Sequence, residues 1–252
     1  MGKLFKVSIL FFMILLSVLL ISCAQEKPYQ EYLQAVKKLK ATDSFMVEKN
    51  AELVQHETIL GKTNENKTKI NTVDKIVKDI SDYSFISNMT VYVNDGKPEK
   101  SIYYHRDGVT FINNLTDKQS TKITMDAAKM LDYSGIDEFP KDVIAKETVT
   151  ETAEGRLITF VMDSEKYYAY RFPKTSYGEY AIYREPPKYT VLLDQEGFIK
   201  KVTSSMCTVN TDKNAFTEKQ TYIAIFSQYN NVQLVFPDLK PDEYPDRSKL
   251  EQ

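Results

Sequence analysis

The side chains able to carry chemistry are few, and the most informative of them is Cys23. The chain has two cysteines, Cys23 and Cys207, and two histidines, His56 and His105. Cys23 directly follows an apolar N-terminal run that ends in Ser22. Signal peptidases cut after a small residue at the end of such a run. The first reaction that the sequence predicts is therefore proteolytic cleavage between Ser22 and Cys23.

The segment Leu20-Ile21-Ser22-Cys23 resembles the lipobox of bacterial lipoproteins: an aliphatic residue, a tolerant position, a small residue and the cysteine. Lys3 and Lys6 form the basic region before the apolar run 7–21. The resemblance implies that the sulfur of Cys23 takes a diacylglyceryl group and that cleavage before it makes Cys23 the mature N-terminus. We therefore predict a signal peptide at 1–22 and a lipidated N-terminus with a short tether at 23–28. The alternative is an ordinary secretory signal or a membrane helix with a chance cysteine.

The predicted anchor determines the predicted location. Each buried CH2 contributes roughly 0.8 kcal/mol, so one acyl chain binds reversibly, whereas two or more chains hold a protein stably. No other stretch of this sequence approaches the ~20 consecutive apolar residues that span a bilayer. The expected location is the extracytoplasmic face of the cell membrane, held by the lipid on Cys23.

The charge and the motif inventory exclude several function classes. The formal net charge is −2, with acidic and basic residues interspersed, which disfavours a nucleic-acid partner. His56 and His105 lie far apart in sequence and match no metal-binding spacing, and both are predicted to be surface residues. No nucleophile elbow or phosphate-binding glycine loop occurs. We therefore predict no catalytic residue, no metal, no cofactor and no enzymatic activity.

Cys207 is the second thiol, and acylation of Cys23 leaves it without a disulfide partner. It lies in the strand-like run Val202–Val209, where a buried cysteine behaves as a small hydrophobic side chain. That interpretation is favoured over a reactive thiol or a link between two chains.

The elements that position these side chains are mostly strands. The 17 tyrosines and 13 phenylalanines, with only 8 glycines, are typical of sheet. Helical spacing of apolar residues predicts an amphipathic helix over Pro28–Lys40. Turn signals such as Asn94-Asp95-Gly96 separate successive strand-like runs and predict antiparallel hairpins. The predicted strands are Ser44–Leu60, Lys69–Ile80, Phe85–Val93, Lys100–His105, Val109–Asn113, Val143–Thr152, Arg156–Met162, Tyr189–Leu193, Phe198–Val209, Ala215–Gln228 and Val232–Phe236.

The remaining segments are predicted to be irregular or helical. Gly61–Lys67 is polar and loop-like, and Thr124 is placed to cap a short helix over Ala127–Asp132. Residues 164–188, rich in tyrosine and proline, are predicted to be irregular. The resulting fold class is α+β, with a single antiparallel-sheet domain at 29–240 and a loose polar tail at 241–252.

Three segments carry a wider resemblance: Ile102–Gly108, Leu192–Lys201 and Phe226–Asp238. Together with the lipobox and the first helix, they make the chain similar to uncharacterised lipoproteins of low-GC Gram-positive bacteria related to the LolA and LppX superfamily. The resemblance implies a strongly curved antiparallel sheet, an incomplete barrel, with an N-terminal helix and short helices on its concave side. It also implies that lipids are carried or sensed in the hollow between sheet and helices.

Two functions follow as expectations. The first is a membrane-anchored lipoprotein that binds a lipid or other hydrophobic ligand in a sheet–helix hollow of several hundred Å3, with binding residues that the sequence does not identify. The second is a surface-tethered interaction or sensor module without a small-molecule ligand, which predicts a filled interior, an exposed aromatic patch and an envelope protein as partner.

The tyrosine-rich segment between Tyr167 and Tyr183 fits either function. It could form a ligand mouth or membrane-facing rim whose cations meet lipid headgroups, or it could cover an open sheet edge, which is the favoured interpretation. The cations are Lys166, Arg171, Lys174 and Arg184.

Overall fold

The computed structural model describes residues 28–59, 62–78, 83–124, 136–179, 181–210 and 216–246. The predicted signal peptide, Cys23 and the short helix Ala127–Asp132 lie outside these ranges. The described α-helices are α1 (Pro28–Lys40) and α2 (Ser164–Arg171), with short 3-10 turns at Lys141–Val143 and Pro241–Glu243. The strands are β1 (Ser44–Ile59), β2 (Lys62–Lys78), β3 (Tyr83–Val93), β4 (Glu99–Arg106), β5 (Val109–Asn114), β6 (Gln119–Thr124), β7 (Ile144–Thr152), β8 (Gly155–Met162), β9 (Ala181–Leu193), β10 (Ile199–Asn210) and β11 (Phe216–Ser227).

All eleven strands form one curved antiparallel sheet, in the order β6-β5-β4-β3-β2-β1-β11-β10-β9-β8-β7. Two meanders, β1–β6 and β7–β11, are joined where β1 pairs with β11. Among the described strands, β6 and β7 remain at opposite edges, so the barrel is incomplete. The predicted α+β class with a curved antiparallel sheet is confirmed. No helix in the described part of the chain is long and apolar enough to cross a membrane.

Helix α1 covers the inner face, which we define as the sheet face against which it packs. Tyr29, Tyr32 and Val36 of α1 are buried, and the Tyr32 ring stacks on Phe139 at 5.6 Å between centroids. The Tyr32 hydroxyl donates to the backbone oxygen of Asp137 at 2.7 Å. Each fully buried large side chain stabilises the fold by roughly 1.5–3 kcal/mol, so this aromatic layer fixes the helix on the sheet.

In the first meander, the strand predictions differ most from the structure at β2 and β6. β2 begins at Lys62, so the loop predicted for Gly61–Lys67 was wrong from Lys62 onward, and Gly61 lies outside the described residues. The polar residues of β2 continue the ladder because they pair with β1 as far as Ile59. β6 was not predicted, and Thr124 is its last residue; the helix that Thr124 was predicted to cap lies outside the described residues. Lys118, at φ 57°, makes the turn that brings β6 back against β5.

The segment 164–188 was predicted to be irregular, which is confirmed for 172–179 and wrong for the residues that form α2 and the start of β9. Asp163 caps α2 by accepting a hydrogen bond from the backbone N–H of Lys166 at 3.0 Å. β9 then runs through Pro186 and Pro187, and its pairing with β10 shifts register on both sides of Cys207. Such irregularities accommodate prolines that cannot donate to the ladder.

The chain after β11 is not a closing strand, so the prediction for Val232–Phe236 was wrong. It leaves the end of the central strand β11 and runs to the outer face, the face opposite α1, where the Tyr244 ring meets Phe111 at 5.0 Å. Lys122 of β6 donates its backbone N–H to Pro245 at 3.0 Å. Residues 241–246 are therefore held by the sheet, contrary to the predicted loose tail, because two aromatic rings and a backbone hydrogen bond secure them.

Candidate functional site

Four polar side chains come together on the inner face, and we call them the inner polar cluster: Lys49, Thr72, Asp74 and Tyr222. They lie on three adjacent strands, because β1 pairs with β11 on one side and with β2 on the other. Lys49 is directly opposite Thr72, and Asp74 is one inward-facing position further along β2. Tyr222 of β11 is opposite Ala51, the next inward-facing residue of β1 after Lys49. The pairing register of β11, β1 and β2 therefore places the four side chains side by side on the inner face.

An ion pair lies at the centre of the cluster. The ammonium of Lys49 contacts Oδ2 of Asp74, and the two side chains are 14% and 8% exposed. Taking both charges out of water costs free energy that a single contact does not fully recover. The pair carries no net charge, and this neutrality limits which ligand groups, charged or uncharged, the cluster can bind.

Three oxygen atoms of the cluster are buried without a hydrogen-bond partner among the described residues: Asp74 Oδ1, Thr72 Oγ1 and the Tyr222 hydroxyl. A buried polar atom left in this condition costs about 1–3 kcal/mol. Burial, reinforced by the negative charge of Asp74, raises the pKa of Tyr222, so its hydroxyl keeps its proton and can donate. The cluster therefore has unused capacity both to donate and to accept.

Apolar side chains surround these oxygens. Val47 and Ala224 are fully buried beside the ion pair, while Ala51, Ile70 and Met89 on the same face are only half-buried. An apolar surface with a few convergent polar groups is the usual composition of a small-molecule site. Sequence reasoning missed this site because Lys49 and Asp74 look like ordinary charges in a polar strand. The signal that was available is inward alternation from the buried Phe45 and Val47 to Lys49.

His105 lies further along the inner face, and its prediction as a surface residue was wrong. It is 0% exposed, its ring stacks on Phe85 at 4.9 Å, and its Nδ1 lies 2.8 Å from Thr110 Oγ1. The cause is strand alternation, which points Tyr103 and His105 inward together. His56 is 45% exposed beside Glu65, as predicted.

Cys207 is half-buried in β10, where it pairs opposite Lys219, and it is not part of the core that was predicted for it. Regular alternation along β10 from the buried Val202 puts Ser204 and Met206 on the inner face, so Cys207 points to the outer face. In the described ranges, no group of three or more His, Cys, Asp or Glu side chains is placed to hold a metal ion.

The tyrosine-rich segment forms a packed network around Asp137. Its carboxylate accepts from the hydroxyls of Tyr167 at 3.2 Å and Tyr170 at 2.8 Å, and it lies 3.4 Å from an Arg171 nitrogen. Burial raises the pKa of Tyr170 to about 12. The rings therefore pack mainly against one another and around Asp137, and Tyr167, Tyr168 and Tyr170 belong to helix α2 instead of a loop. That the segment covers an open sheet edge stays a prediction. An exposed margin is left at Tyr170 and Phe172.

Two cavities lined by described residues lie on the outer face, away from α1. One, of about 580 Å3, lies beside the β7–β8 hairpin and is lined by Leu157, Leu192, Lys201 and neighbouring residues. The other, of about 370 Å3, lies between Phe111 and the C-terminal segment at Phe236. The space directly beneath α1 is filled by aromatic rings, so neither cavity is the predicted sheet–helix hollow.

The comparisons with known proteins concern nearly the whole chain. Residues 6–250 match the model of a family described as Treponema clustered lipoprotein. This match supports the prediction of a lipoprotein, and it gives no support to the likeness to Gram-positive lipoproteins. No curated protein matches the chain.

Three solved structures illustrate the structural likeness. A DUF1329 family protein from Desulfovibrio piger is 9% identical over 84% of this chain and 94% of its own, with a TM-score of 0.28. A domain assigned to outer membrane lipoprotein-sorting proteins, from Vibrio parahaemolyticus, is 8% identical over 88% and 98%, with a TM-score of 0.21. A LolA superfamily protein from Nitrosomonas europaea is 8% identical over 82% and 94%, with a TM-score of 0.15. Scores this low carry no argument about ligand or mechanism.

Proposed function

Because this chain belongs to the Treponema clustered lipoprotein family, we propose that it is anchored to the extracytoplasmic face of a membrane and binds a hydrophobic ligand on the inner face of its sheet. The anchor is the lipid on Cys23, after removal of residues 1–22. The domain then presents its inner face to the ligand without catalysing a reaction.

The observation that supports ligand binding is the inner polar cluster within its apolar surroundings. Three buried oxygens without partners cost the free protein stability, and a ligand that bonded to them would recover part of that cost. The half-buried Ala51, Ile70 and Met89 beside them offer a surface for hydrocarbon. An apolar ligand with a polar end fits both features.

Labelling tests the anchor. The full chain expressed in a bacterial host with labelled palmitate should incorporate the label and fractionate with membranes. Cys23→Ser should abolish both, whereas Cys207→Ser, the matched thiol substitution, should change neither. Unlabelled wild-type protein, or a Cys23→Ser variant that still carries label and stays in the membrane fraction, would refute lipidation at Cys23.

Native mass spectrometry of the full chain, purified from membranes and released from detergent in the spectrometer, tests ligand binding. Lipid adducts that survive mild activation should appear beyond the mass of the acylated protein. They should diminish in Thr72→Val/Tyr222→Phe, which removes two of the unpartnered hydroxyls. Equally abundant lipid adducts in the wild type and in this double variant would show that the inner polar cluster is not part of the lipid-binding site.

A second function has its own supporting observation. Tyr170 and Phe172 are exposed at the C-terminal end of α2 and give it an apolar margin, and the exposed Lys174 follows two residues later. Such a margin suits contact with an envelope protein in a tethered interaction or sensor module. Phe172→Ser would then weaken partner capture without changing the lipid adducts.

A further inference from the structure

We infer that the inner polar cluster binds the uncharged, hydroxyl-bearing end of an amphiphile, such as the glycerol end of a monoacylglycerol or diacylglycerol, in preference to a charged headgroup. The inference rests on the proposed function and narrows its ligand class. Three properties of the cluster carry it: its charge balance, its hydrogen-bonding capacity and its position.

Charge balance excludes ionic headgroups. The ammonium of Lys49 is already offset by the carboxylate of Asp74, and both side chains are nearly buried. A phosphate or carboxylate brought to the cluster would place a second negative charge beside the unpartnered Oδ1 of Asp74, where little water screens it. A quaternary ammonium would meet the same difficulty at Lys49. A neutral group avoids both costs.

The hydrogen-bonding capacity matches a hydroxyl. Asp74 Oδ1 can only accept, whereas the hydroxyls of Thr72 and Tyr222 can each donate and accept. A ligand hydroxyl that donates to Asp74 and accepts from Tyr222 would be satisfied in both directions, and an ester carbonyl could accept from Thr72. A purely apolar ligand would leave all three oxygens as they are in the free protein.

The position of the cluster provides for the hydrocarbon. Strands in a sheet lie ~4.8 Å apart, so the neighbouring inward-facing side chains are within reach of an acyl chain whose polar end is at Asp74. On one side these are Ala51 and Ile70 in the next inward row, and on the other Met89 of β3. The polar end would therefore be fixed at the ion pair while the chain lies along half-buried apolar residues.

Photolabelling tests the inference with the full acylated chain in phosphatidylcholine nanodiscs. Three probes of equal chain length, each with a diazirine in the acyl chain, are added at the same mole fraction: a monoacylglycerol, a fatty acid and a phosphatidylglycerol. The label on tryptic peptides of β1, β2 and β11 is then quantified. The monoacylglycerol should label these peptides roughly tenfold more than either charged probe, and Thr72→Val/Tyr222→Phe should lower that labelling roughly tenfold. Tyr229→Phe, in which a tyrosine that has a partner loses its hydroxyl, should leave the labelling unchanged.

A charge variant tests the neutrality argument directly. Asp74→Asn keeps the shape of the side chain but removes the negative charge that faces Lys49, so labelling should shift from the monoacylglycerol to the fatty acid. Should Asp74→Asn fail to fold, the wild-type probe ranking still decides. Equal or stronger wild-type labelling by a charged probe would overturn the inference while leaving lipid binding in place. No labelling of these peptides by any probe would overturn both the inference and the proposed function.

Discussion

Replacing Tyr222 by Phe should stabilise the ligand-free protein, the opposite of what loss of a tyrosine hydroxyl usually does. The Tyr222 hydroxyl is buried and lacks a hydrogen-bond partner among the described residues, and the nearby charge of Asp74 adds to its burial in raising its pKa. Deleting the oxygen removes a desolvation cost of about 1–3 kcal/mol and leaves the ring to pack as before. Part of that gain is lost where the cavity is imperfectly filled, so we expect a net gain of about 1 kcal/mol.

Tyr229 provides the matched control. Its ring stacks on Phe198 at 4.7 Å, and its hydroxyl donates to the backbone oxygen of Ile199. Tyr229→Phe removes the same atom but leaves that carbonyl without its donor, so we expect a loss of about 1–2 kcal/mol. The two substitutions are chemically identical, and the predicted effects have opposite signs.

The assay is equilibrium urea unfolding of the full chain in detergent, followed by far-UV circular dichroism. A gain of 1 kcal/mol corresponds to an increase of about 0.3–1 M in the midpoint urea concentration. Adding monoacylglycerol should reverse the order, because wild type binds it through the hydroxyl and Tyr222→Phe does not. A Tyr222→Phe protein destabilised as much as Tyr229→Phe would show that the hydroxyl has a structural partner, and the ligand argument would lose its main support.

Three further substitutions or conditions have definite expected outcomes. Gly155→Ala should lower the free energy of unfolding by at least about 2 kcal/mol. Gly155 has a φ of +133°, and a Cβ on it would lie 1.9 Å from a backbone oxygen of β9. Gly108→Ala, where the Cβ would enter open space, should cost about 1 kcal/mol because Gly108 has a φ of +73°. Asp74→Leu alone should cost about 3 kcal/mol, because the nearly buried ammonium of Lys49 loses its contact with a carboxylate, and adding Lys49→Met should restore most of that loss. Both effects are measured by urea unfolding, and equal stability of the single and double variants would contradict the prediction. Burial raises the pKa of Tyr183 to about 12, from about 10 in the unfolded chain. The contribution of Tyr183 to stability is therefore present below pH 10 and is lost as the pH rises towards 12. Tyr183→Phe should reduce the fall in the free energy of unfolding over this pH range, and an unchanged fall would contradict the prediction.

The large elements could be predicted because their signals are local. The amphipathic spacing of Tyr29, Tyr32 and Val36 gave the first helix with its observed bounds, and the turn at Asn94 and Asp95, both at positive φ, gave the β3–β4 hairpin. Polar strands without an apolar face, such as the first half of β2, were not predicted. Their ladder depends on the partner strand rather than on their own composition.

The candidate site could not be predicted, because it exists only through pairing. Lys49 and Asp74 are 25 residues apart and Tyr222 lies on the last strand, so only the β11–β1–β2 register brings them to one face. His105 shows the same dependence: beside a turn it resembles a surface residue, yet alternation and the facing Phe85 bury it.

By itself the sequence determined the order of helix and hairpins and the motif around Cys23, since turn chemistry, periodicity and processing signals act over a few neighbouring residues. Only the tertiary structure decided that β1 pairs with β11, that the C-terminal segment crosses the outer face, and that an ion pair with three unpartnered oxygens lies among apolar side chains. Burial and desolvation depend on what packs against a residue, and for these residues that is a strand or segment distant in the chain.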